Sequence, residues 1–289
     1  MAFSPDGRYV LVATSDVLGT SGASSLILWD TKTGEEVHRF TDHVTYARSA
    51  AFSPDGRTVL SGSQSLDGEK RGDLLLWDVE TGQVIRSFET TDDITSIVYS
   101  ADSSRALTGS AYFANATLWD VATGQEIRRF EGDVSLIFAV AFGPGETTVL
   151  TGSEDGIITL WDVETGQIIR RYLGHERGVW SIDVSPGILK DTDRRYIISG
   201  SEDGVVILWD FETGEELRRF SGHTAWVPDV AFSPDGHTAF SVSLDGSLTQ
   251  WQVTDLPLDE LIRWVRANRY LRELTCEERT QYKIEPLCE

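Results

Sequence analysis

The chain has 289 residues, of which 40% are hydrophobic and 25% are charged, and its 46 acidic and 25 basic side chains give a formal charge of −21. This is a globular composition whose acidic excess, without any basic block, excludes nucleic-acid binding through phosphate contacts. No run approaches the ~20 apolar residues of a membrane span, and both cysteines, Cys276 and Cys288, lie near the end of the chain, so we expect a cytoplasmic protein without a disulfide framework.

An internal sequence repeat extends through most of the chain. Its third apolar segment ends in Trp followed by Asp, or by Gln in the last copy, and the six tryptophans are Trp29, Trp77, Trp119, Trp161, Trp209 and Trp251. The intervals between them are 48, 42, 42, 48 and 42 residues. Turn residues such as Pro54-Asp55-Gly56 and Thr81-Gly82 separate β-branched apolar runs, which predicts four strands in each copy. We interpret the two longer intervals as loop insertions at residues 66–71 and 187–194.

On this repeat, residues 2 to about 254 resemble a tandem WD-repeat β-propeller of the near-consensus kind common in bacteria. The resemblance implies an all-β fold of six four-stranded blades, with strands a to d from a central channel outward. The first copy begins inside strand a and the sixth has no strand d, so we expect a seven-blade or larger array with an upstream effector domain outside this chain. A six-blade ring that closes imperfectly is the alternative, and an open edge predicts self-association.

The pattern changes from β to α after Val253. An apolar stripe at helical spacing follows, and its members are Leu258, Leu261, Ile262 and Val265. We therefore predict a propeller domain at 1–254 and a C-terminal helical extension at 255–289. The extension resembles the segment that follows WD repeats in multidomain bacterial signalling proteins. We expect it to pack on the last blade, the alternative being a detachable partner-binding helix.

The resemblance also implies a structural role for recurrent polar residues. In WD repeats a His before strand a, a Ser or Thr on strand b, an Asp in the b–c turn and the strand-c Trp form a hydrogen-bonded brace. The matching residues of blade five are His175, Ser199, Asp203 and Trp209, and those of blade six are His223, Ser241, Asp245 and Trp251. Blade two keeps His43, Ser61 and Trp77, while the insertion obscures its Asp position. Blade three has Thr90 in place of His, which predicts weaker cohesion there.

These His, Ser and Asp sets superficially resemble a hydrolase triad. Their recurrence beside a fixed Trp favours a brace over one activated nucleophile, and no nucleophile-elbow context surrounds them. No phosphate-binding, dinucleotide or paired-His zinc motif is present, and Asp191 with Asp193 is too small a set for a calcium site. We predict neither a metal nor a cofactor, and no enzymatic activity.

The candidate binding face comes from the family pattern. In WD-repeat proteins the positions six and four residues before the strand-a aromatic point outward on the upper face. In this chain the large side chains at those positions are Tyr46, Arg48, Leu136, Phe138, Trp180 and Trp226. Aromatic residues and Arg dominate interaction hot spots, so we expect a protein or peptide partner there. The alternative is that Leu136 and Phe138 plug the channel.

The leading function is therefore a non-catalytic interaction scaffold or sensor. An enzyme built on the propeller channel is one alternative. Assembly through the perimeter is another, because strand d of most blades carries Arg, for example Arg39, Arg86 and Arg219. Charge on outer strands also discourages edge pairing, which is the simpler explanation of these residues.

Overall fold

The computed structural model describes residues 1–14, 25–43, 46–64, 72–90, 92–132, 135–187 and 194–253. The predicted insertion at 66–71, most of the one at 187–194, and the extension at 255–289 with both cysteines lie outside the described residues. For Tyr46 only the backbone is described.

The described residues form six antiparallel sheets, each with its strands in chain order. The first sheet contains β1 (Ala2–Phe3), β2 (Tyr9–Thr14), β3 (Ser25–Asp30) and β4 (Glu36–Phe40). The second contains β5 (Tyr46–Phe52), β6 (Thr58–Gln64), β7 (Leu74–Asp78) and β8 (Val84–Phe88). The third contains β9 (Ile94–Tyr99), β10 (Arg105–Ser110), β11 (Ala116–Asp120) and β12 (Glu126–Phe130).

The fourth sheet contains β13 (Ile137–Phe142), β14 (Thr148–Ser153), β15 (Ile157–Asp162) and β16 (Ile168–Leu173), with a 3-10 turn at Pro144–Glu146. The fifth contains β17 (Val179–Val184), β18 (Tyr196–Ser201), β19 (Val206–Asp210) and β20 (Glu216–Phe220). The sixth contains β21 (Asp229–Phe232), β22 (Thr238–Val242) and β23 (Leu248–Gln252). Among the described residues, four strands per sheet therefore holds for the first five sheets, while the sixth has three.

The Asp after each Trp shapes the turn between the third and fourth strands. In the fourth sheet, the Asp162 carboxylate accepts the backbone N–H and the hydroxyl of Thr165, both at 2.7 Å. Gly166 then adopts a positive φ of 73° and its N–H donates to the Asp162 carbonyl. Asp78 and Thr81 make the same contacts in the second sheet. The Trp-Asp pair thus ends one strand and starts the next hairpin locally.

The core lies between successive sheets. Side chains on the third strand alternate, so that Leu26 and Leu28 face the second sheet, where they share a cluster with Leu75 and Trp77. The innermost strands follow one another around the array, because β5 contacts β9, β9 contacts β13, β13 contacts β17 and β17 contacts β21. Each sheet therefore contributes half of the core of the next, as stacked repeats require.

A pair of aromatic rings joins each sheet to the one before it. The third-strand Trp contacts the aromatic side chain of the preceding fourth strand, with ring centroids between 4.9 and 6.0 Å apart. The pairs are Phe40–Trp77, Phe88–Trp119, Phe130–Trp161, Tyr172–Trp209 and Phe220–Trp251. Residues Met1–Trp251 form one compact unit, and the architecture is that of a six-bladed β-propeller.

Candidate binding face

One edge of the array is where the innermost strands begin, and we call it the upper rim. It contains the residues that precede or begin each innermost strand and the turns between second and third strands. Backbone hydrogen bonds hold the two together: Glu154 N–H donates to Leu136 O at 2.9 Å, and Leu244 N–H donates to Trp226 O at 2.9 Å. In each of these two sheets, the start of the innermost strand and the adjoining turn therefore belong to one rim.

Three predicted side chains form an aromatic ladder on the upper rim. The rings of Phe138 and Trp180 stack with centroids 4.5 Å apart and planes 17° apart. The rings of Trp180 and Trp226 stack at 5.5 Å and 25°. Gly178 makes room for the first contact, since a Cβ there would lie 3.2 Å from the Phe138 ring. The ladder joins the fourth, fifth and sixth sheets, and Trp226 remains 41% exposed.

Arg48 reaches the same ladder from the second sheet. Its guanidinium carbon lies 5.6 Å from the centroid of the Trp180 ring, within cation–π range. The guanidinium also donates to Oε1 of Gln64. Desolvation lowers the pKa of Arg48, and the charge of Asp93 opposes that shift. Two sheets separate Arg48 from Trp180 along the array, so the contact bridges the mouth of the channel.

A cavity of about 280 Å³ lies at this mouth. Its lining includes ladder side chains and also polar groups from the innermost strands, namely Thr95, Ser96, Ser181 and Asp229. Ser181 donates to the Asp229 carboxylate at 3.1 Å and accepts the N–H of Val230. The arrangement combines aromatic faces, one guanidinium and hydrogen-bonding groups, which suits recognition of a polar side chain with a flat or aliphatic stem.

The remaining predicted face residues are placed differently. Leu136 is half-buried beside the turn at Glu154, and the ladder contacts do not include it. The side chain of Tyr46 lies outside the described residues. The structure thus brings together four of the six predicted residues, Arg48, Phe138, Trp180 and Trp226.

The sequence reasoning missed a second aromatic feature of the rim. Tyr112 and Phe113 occupy the turn after β10, are 68% and 46% exposed, and pack edge to face at 4.8 Å. Ala111 N–H donates to Asp93 O, which places this turn on the upper rim. The sequence signal for this feature was that two aromatic residues stand at the position where other blades have an Asp-Gly turn.

The brace residues of the fifth sheet form a continuous chain of hydrogen bonds. Trp209 Nε1–H donates to Ser199 Oγ at 2.8 Å, and Ser199 Oγ lies 2.8 Å from His175 Nε2. His175 Nδ1 lies 3.1 Å from the Asp203 carboxylate. A proton on Nδ1, with Nε2 as the acceptor, satisfies every member of this chain.

In the sixth sheet the chain of contacts has an additional member. Trp251 Nε1–H donates to Ser241 Oγ at 2.8 Å, and Ser241 Oγ lies 2.6 Å from His223 Nε2. The nearer partner of His223 Nδ1 is Ser247 Oγ at 2.9 Å, while the Asp245 carboxylate lies at 3.4 Å. A hydrogen bond from the Ser247 hydroxyl is the largest cause that lowers the pKa of Asp245.

Blade two obtains the acidic member of its brace, and blade three a carboxylate on the rim, from positions that the sequence did not indicate. Asp73, directly after the insertion of the second sheet, pairs with His43 Nδ1. In the third sheet Asp92 precedes the innermost strand, and its carboxylate accepts from Ser110 Oγ and from the N–H of Asp93. Burial raises the pKa of Asp92. The Phe113 N–H also points to this carboxylate, at 3.4 Å, so Asp92 ties the Tyr112–Phe113 turn to the start of the innermost strand.

The braces are unsuited to nucleophilic catalysis. Ser199 is fully buried, and its hydroxyl oxygen already accepts the Trp209 N–H. Burial raises the pKa of Asp203, but hydrogen bonds from His175 and from the Glu176 N–H outweigh it and lower the pKa to about 2. A substrate has no route to this serine, so the geometry describes a structural element.

Among the described residues, no group of three or more His, Cys, Asp or Glu side chains is arranged to hold a metal ion. None of the helices in these residues is long and apolar enough to cross a membrane.

Sequence comparison identifies the repeat. The profile of the family described as "WD domain, G-beta repeat" matches residues 34–69, 124–162, 166–210 and 214–252, which is more than half of the chain. The matched segments include the Trp-Asp motifs at Trp161 and Trp209 and the Trp at Trp251.

Two curated proteins match parts of the chain. The chain is 28% identical over 111 residues to a WD repeat domain-containing protein 83 homolog from Dictyostelium discoideum, which covers 38% of this chain and 30% of that protein. It is 29% identical over 98 residues to cilia- and flagella-associated protein 52 from Chlamydomonas reinhardtii, which covers 34% of this chain and 15% of that protein. The matches span less than a third of each relative, and both relatives are eukaryotic.

Proposed function

The chain belongs to the WD domain, G-beta repeat family, and from that premise we propose that it is a non-catalytic scaffold or sensor that binds a protein or peptide on its upper rim. The observation that carries the proposal is the ladder of Phe138, Trp180 and Trp226 beside an open cavity. The β-sheets do not need large aromatic side chains at this edge, and such side chains often carry most of the binding energy at interfaces.

The perimeter is a weaker candidate for the binding surface. Arg39 and Arg219 pair within their own strands with Glu36 and Glu216, each at 2.6 Å. Arg86 donates to the carbonyl of Thr123 in the next sheet at 3.0 Å. These guanidinium groups already have local partners that hold sheets and hairpins together, which favours a structural role for the outer strands.

No residue arrangement described above favours catalysis, and the proposal includes neither a metal nor a cofactor. A cytoplasmic location and the resemblance to bacterial signalling proteins both stay predictions. The two eukaryotic relatives bear on neither of them.

The proposal can be tested with peptides selected from a random linear-peptide display library against the wild-type chain. Trp226→Ala should weaken the selected peptides about thirtyfold or more, the loss typical of a hot spot. Because Trp226 is 41% exposed, the melting temperature of the Trp226→Ala variant should differ from that of wild type by less than about 2 °C. Binding is measured by fluorescence anisotropy and melting by circular dichroism.

Ile127→Ala is the matched control, since Ile127 is 46% exposed on an outer strand of the perimeter. It should leave binding unchanged. If Trp226→Ala binds every selected peptide normally, or if Ile127→Ala loses the same affinity, the upper rim is not the recognition surface.

A further inference from the structure

The cation on the aromatic ladder comes from the chain itself. Arg48 lies on β5 and Trp180 on β17, yet the guanidinium stands 5.6 Å from the centroid of the indole ring. The second and fifth sheets are not neighbours, because the third and fourth sheets lie between them in the array. Packing of one sheet on the next therefore does not explain the contact. The long side chain therefore extends over the channel mouth to reach the ring.

The surroundings explain why a planar cation is held there. The flat face of an indole attracts a guanidinium through its quadrupole, and Arg is the usual side chain in such contacts. The charge of Asp93 acts favourably on the Arg48 cation, and Asp229 lines the same cavity. The mouth is therefore a site with two features that select a guanidinium, an aromatic face and nearby carboxylates.

Arg48 is held by interactions that a competing group can replace. It is an exposed residue, and its described side-chain hydrogen bond goes to the neutral amide of Gln64. Its described contacts therefore do not include the bidentate carboxylate pairing that holds Arg strongly in other sites. A second guanidinium could take its place on Trp180 while Arg48 moves into solvent.

Charge complementarity indicates where the second guanidinium comes from. The chain carries a formal charge of −21, and Glu154 and Glu202 lie in the rim turns next to the ladder. A negative surface raises the local concentration and the association rate of cationic ligands. An acidic peptide meets repulsion at the same place.

We propose that the upper rim recognises an arginine-containing peptide. In the free chain, Arg48 occupies the place on the Trp180 ring that the arginine side chain of the peptide takes, and the bound peptide displaces Arg48. This inference rests on the proposed function, since it names the ligand of the same face. It assigns Arg48 the role of an internal competitor.

The test uses three short Gly-Ser peptides that differ at one position, which holds arginine, the neutral isostere citrulline, or glutamate. Wild-type chain should bind the arginine peptide more tightly than the citrulline peptide, and the glutamate peptide least. Arg48→Ala should bind the arginine peptide about two- to fivefold more tightly than wild type, because it removes one exposed cation–π competitor. Affinities are measured by fluorescence anisotropy.

Arg129→Ala is the charge-matched control, because it removes one positive charge from an outer strand, where Arg129 pairs with Glu126 at 2.5 Å. It should not reproduce the gain. The Trp180 indole N–H resonance offers a second measurement, and it should shift both in Arg48→Ala and when wild type is titrated with the arginine peptide.

The inference is overturned if Arg48→Ala binds the arginine peptide no better than Arg129→Ala does, or if the citrulline peptide binds as well as the arginine peptide. Library peptides that lose affinity in Trp226→Ala but contain no arginine would overturn the inference and leave the proposed function standing. Library peptides that bind Trp226→Ala with unchanged affinity would contradict the proposed function itself.

Discussion

At the residue scale, one hydroxyl connects the core of a sheet to its rim. Ser199 accepts from the Trp209 indole in the core and contacts His175, which in turn meets Asp203 in the rim turn. The Asp203 carboxylate also accepts the N–H of Glu176 at 3.0 Å. The brace therefore fixes the loop that leads into β17, the strand that presents Trp180, so its geometry sets the position of the ladder.

Asp203→Asn tests this brace through its pH dependence. The pKa of Asp203 is about 2 in the folded chain, below the ordinary value near 4. A lowered pKa stabilises the fold above about pH 4, and this contribution is lost as the pH falls from about 4 to 2. The variant should lose about 1–3 kcal/mol of unfolding free energy at pH 7, and the difference from wild type should shrink toward pH 2.

Urea denaturation at a series of pH values measures this difference. Glu164→Gln, in the c–d turn of the fourth sheet, is the control and should follow the wild-type curve. If the difference in unfolding free energy between the variant and wild type is the same at all pH values, the ionised carboxylate of Asp203 does not stabilise the brace.

At the element scale, a glycine in the second strand lets the next sheet approach. A Cβ at Gly152 would lie 2.9 Å from side-chain atoms of Val179 and Ile182 on β17. A Cβ at Gly200 would lie 2.7 Å from Val227 and 2.9 Å from Val230 of the sixth sheet. In the sixth sheet the equivalent residue is Val242, which is exposed. The glycine is therefore required where another sheet packs on the strand.

Gly152→Val and Val242→Gly form a matched pair at one register position. Gly152→Val overpacks the contact with β17 and should cost about 1–3 kcal/mol of unfolding free energy. Val242→Gly removes an exposed side chain, and its cost should stay below about 1 kcal/mol, the ordinary penalty for glycine in a strand. Urea denaturation of both variants provides the comparison, and a Gly152→Val variant at least as stable as wild type would show that sheet packing does not require the glycine.

At the scale of the whole molecule, the outward face of the sixth sheet differs from the other five. Leu248 is 68% exposed, while its counterparts three residues before the other tryptophans are fully buried. These counterparts are Leu26, Leu74, Ala116, Ile158 and Val206. Leu244, in the turn of the same sheet, is 66% exposed. An apolar face of this kind favours association between copies of the chain.

We expect the chain to self-associate with rising concentration through this face. Leu248→Asp should shift sedimentation toward the monomer, because it places a charge on the apolar contact. Ile127→Asp, on the perimeter, should leave the distribution unchanged. A wild-type chain that stays monomeric over the accessible concentration range, as measured by sedimentation velocity, would contradict the expectation.

By itself, the sequence determined the strands and their hairpins, which depend on short spacing. The Trp-Asp interval predicted the strands and their hairpins, because the Asp carboxylate and the following Gly act within four residues of the chain. The resemblance to WD repeats implied the brace of the fifth sheet, because the repeat carries the matching His, Ser, Asp and Trp. The same resemblance implied four of the ladder and mouth residues, Arg48, Phe138, Trp180 and Trp226.

Only the tertiary structure decided contacts between residues far apart in the chain. The meeting of Arg48 with Trp180 depends on how successive sheets are arranged around the channel, and no periodicity encodes that distance. Asp73 completes the brace of the second sheet because folding brings it to the position that an Asp of the rim turn fills elsewhere. Leu248 has the same type of side chain as its buried counterparts, so its exposure reflects the neighbour it lacks among the described residues, which is a property of packing and not of sequence.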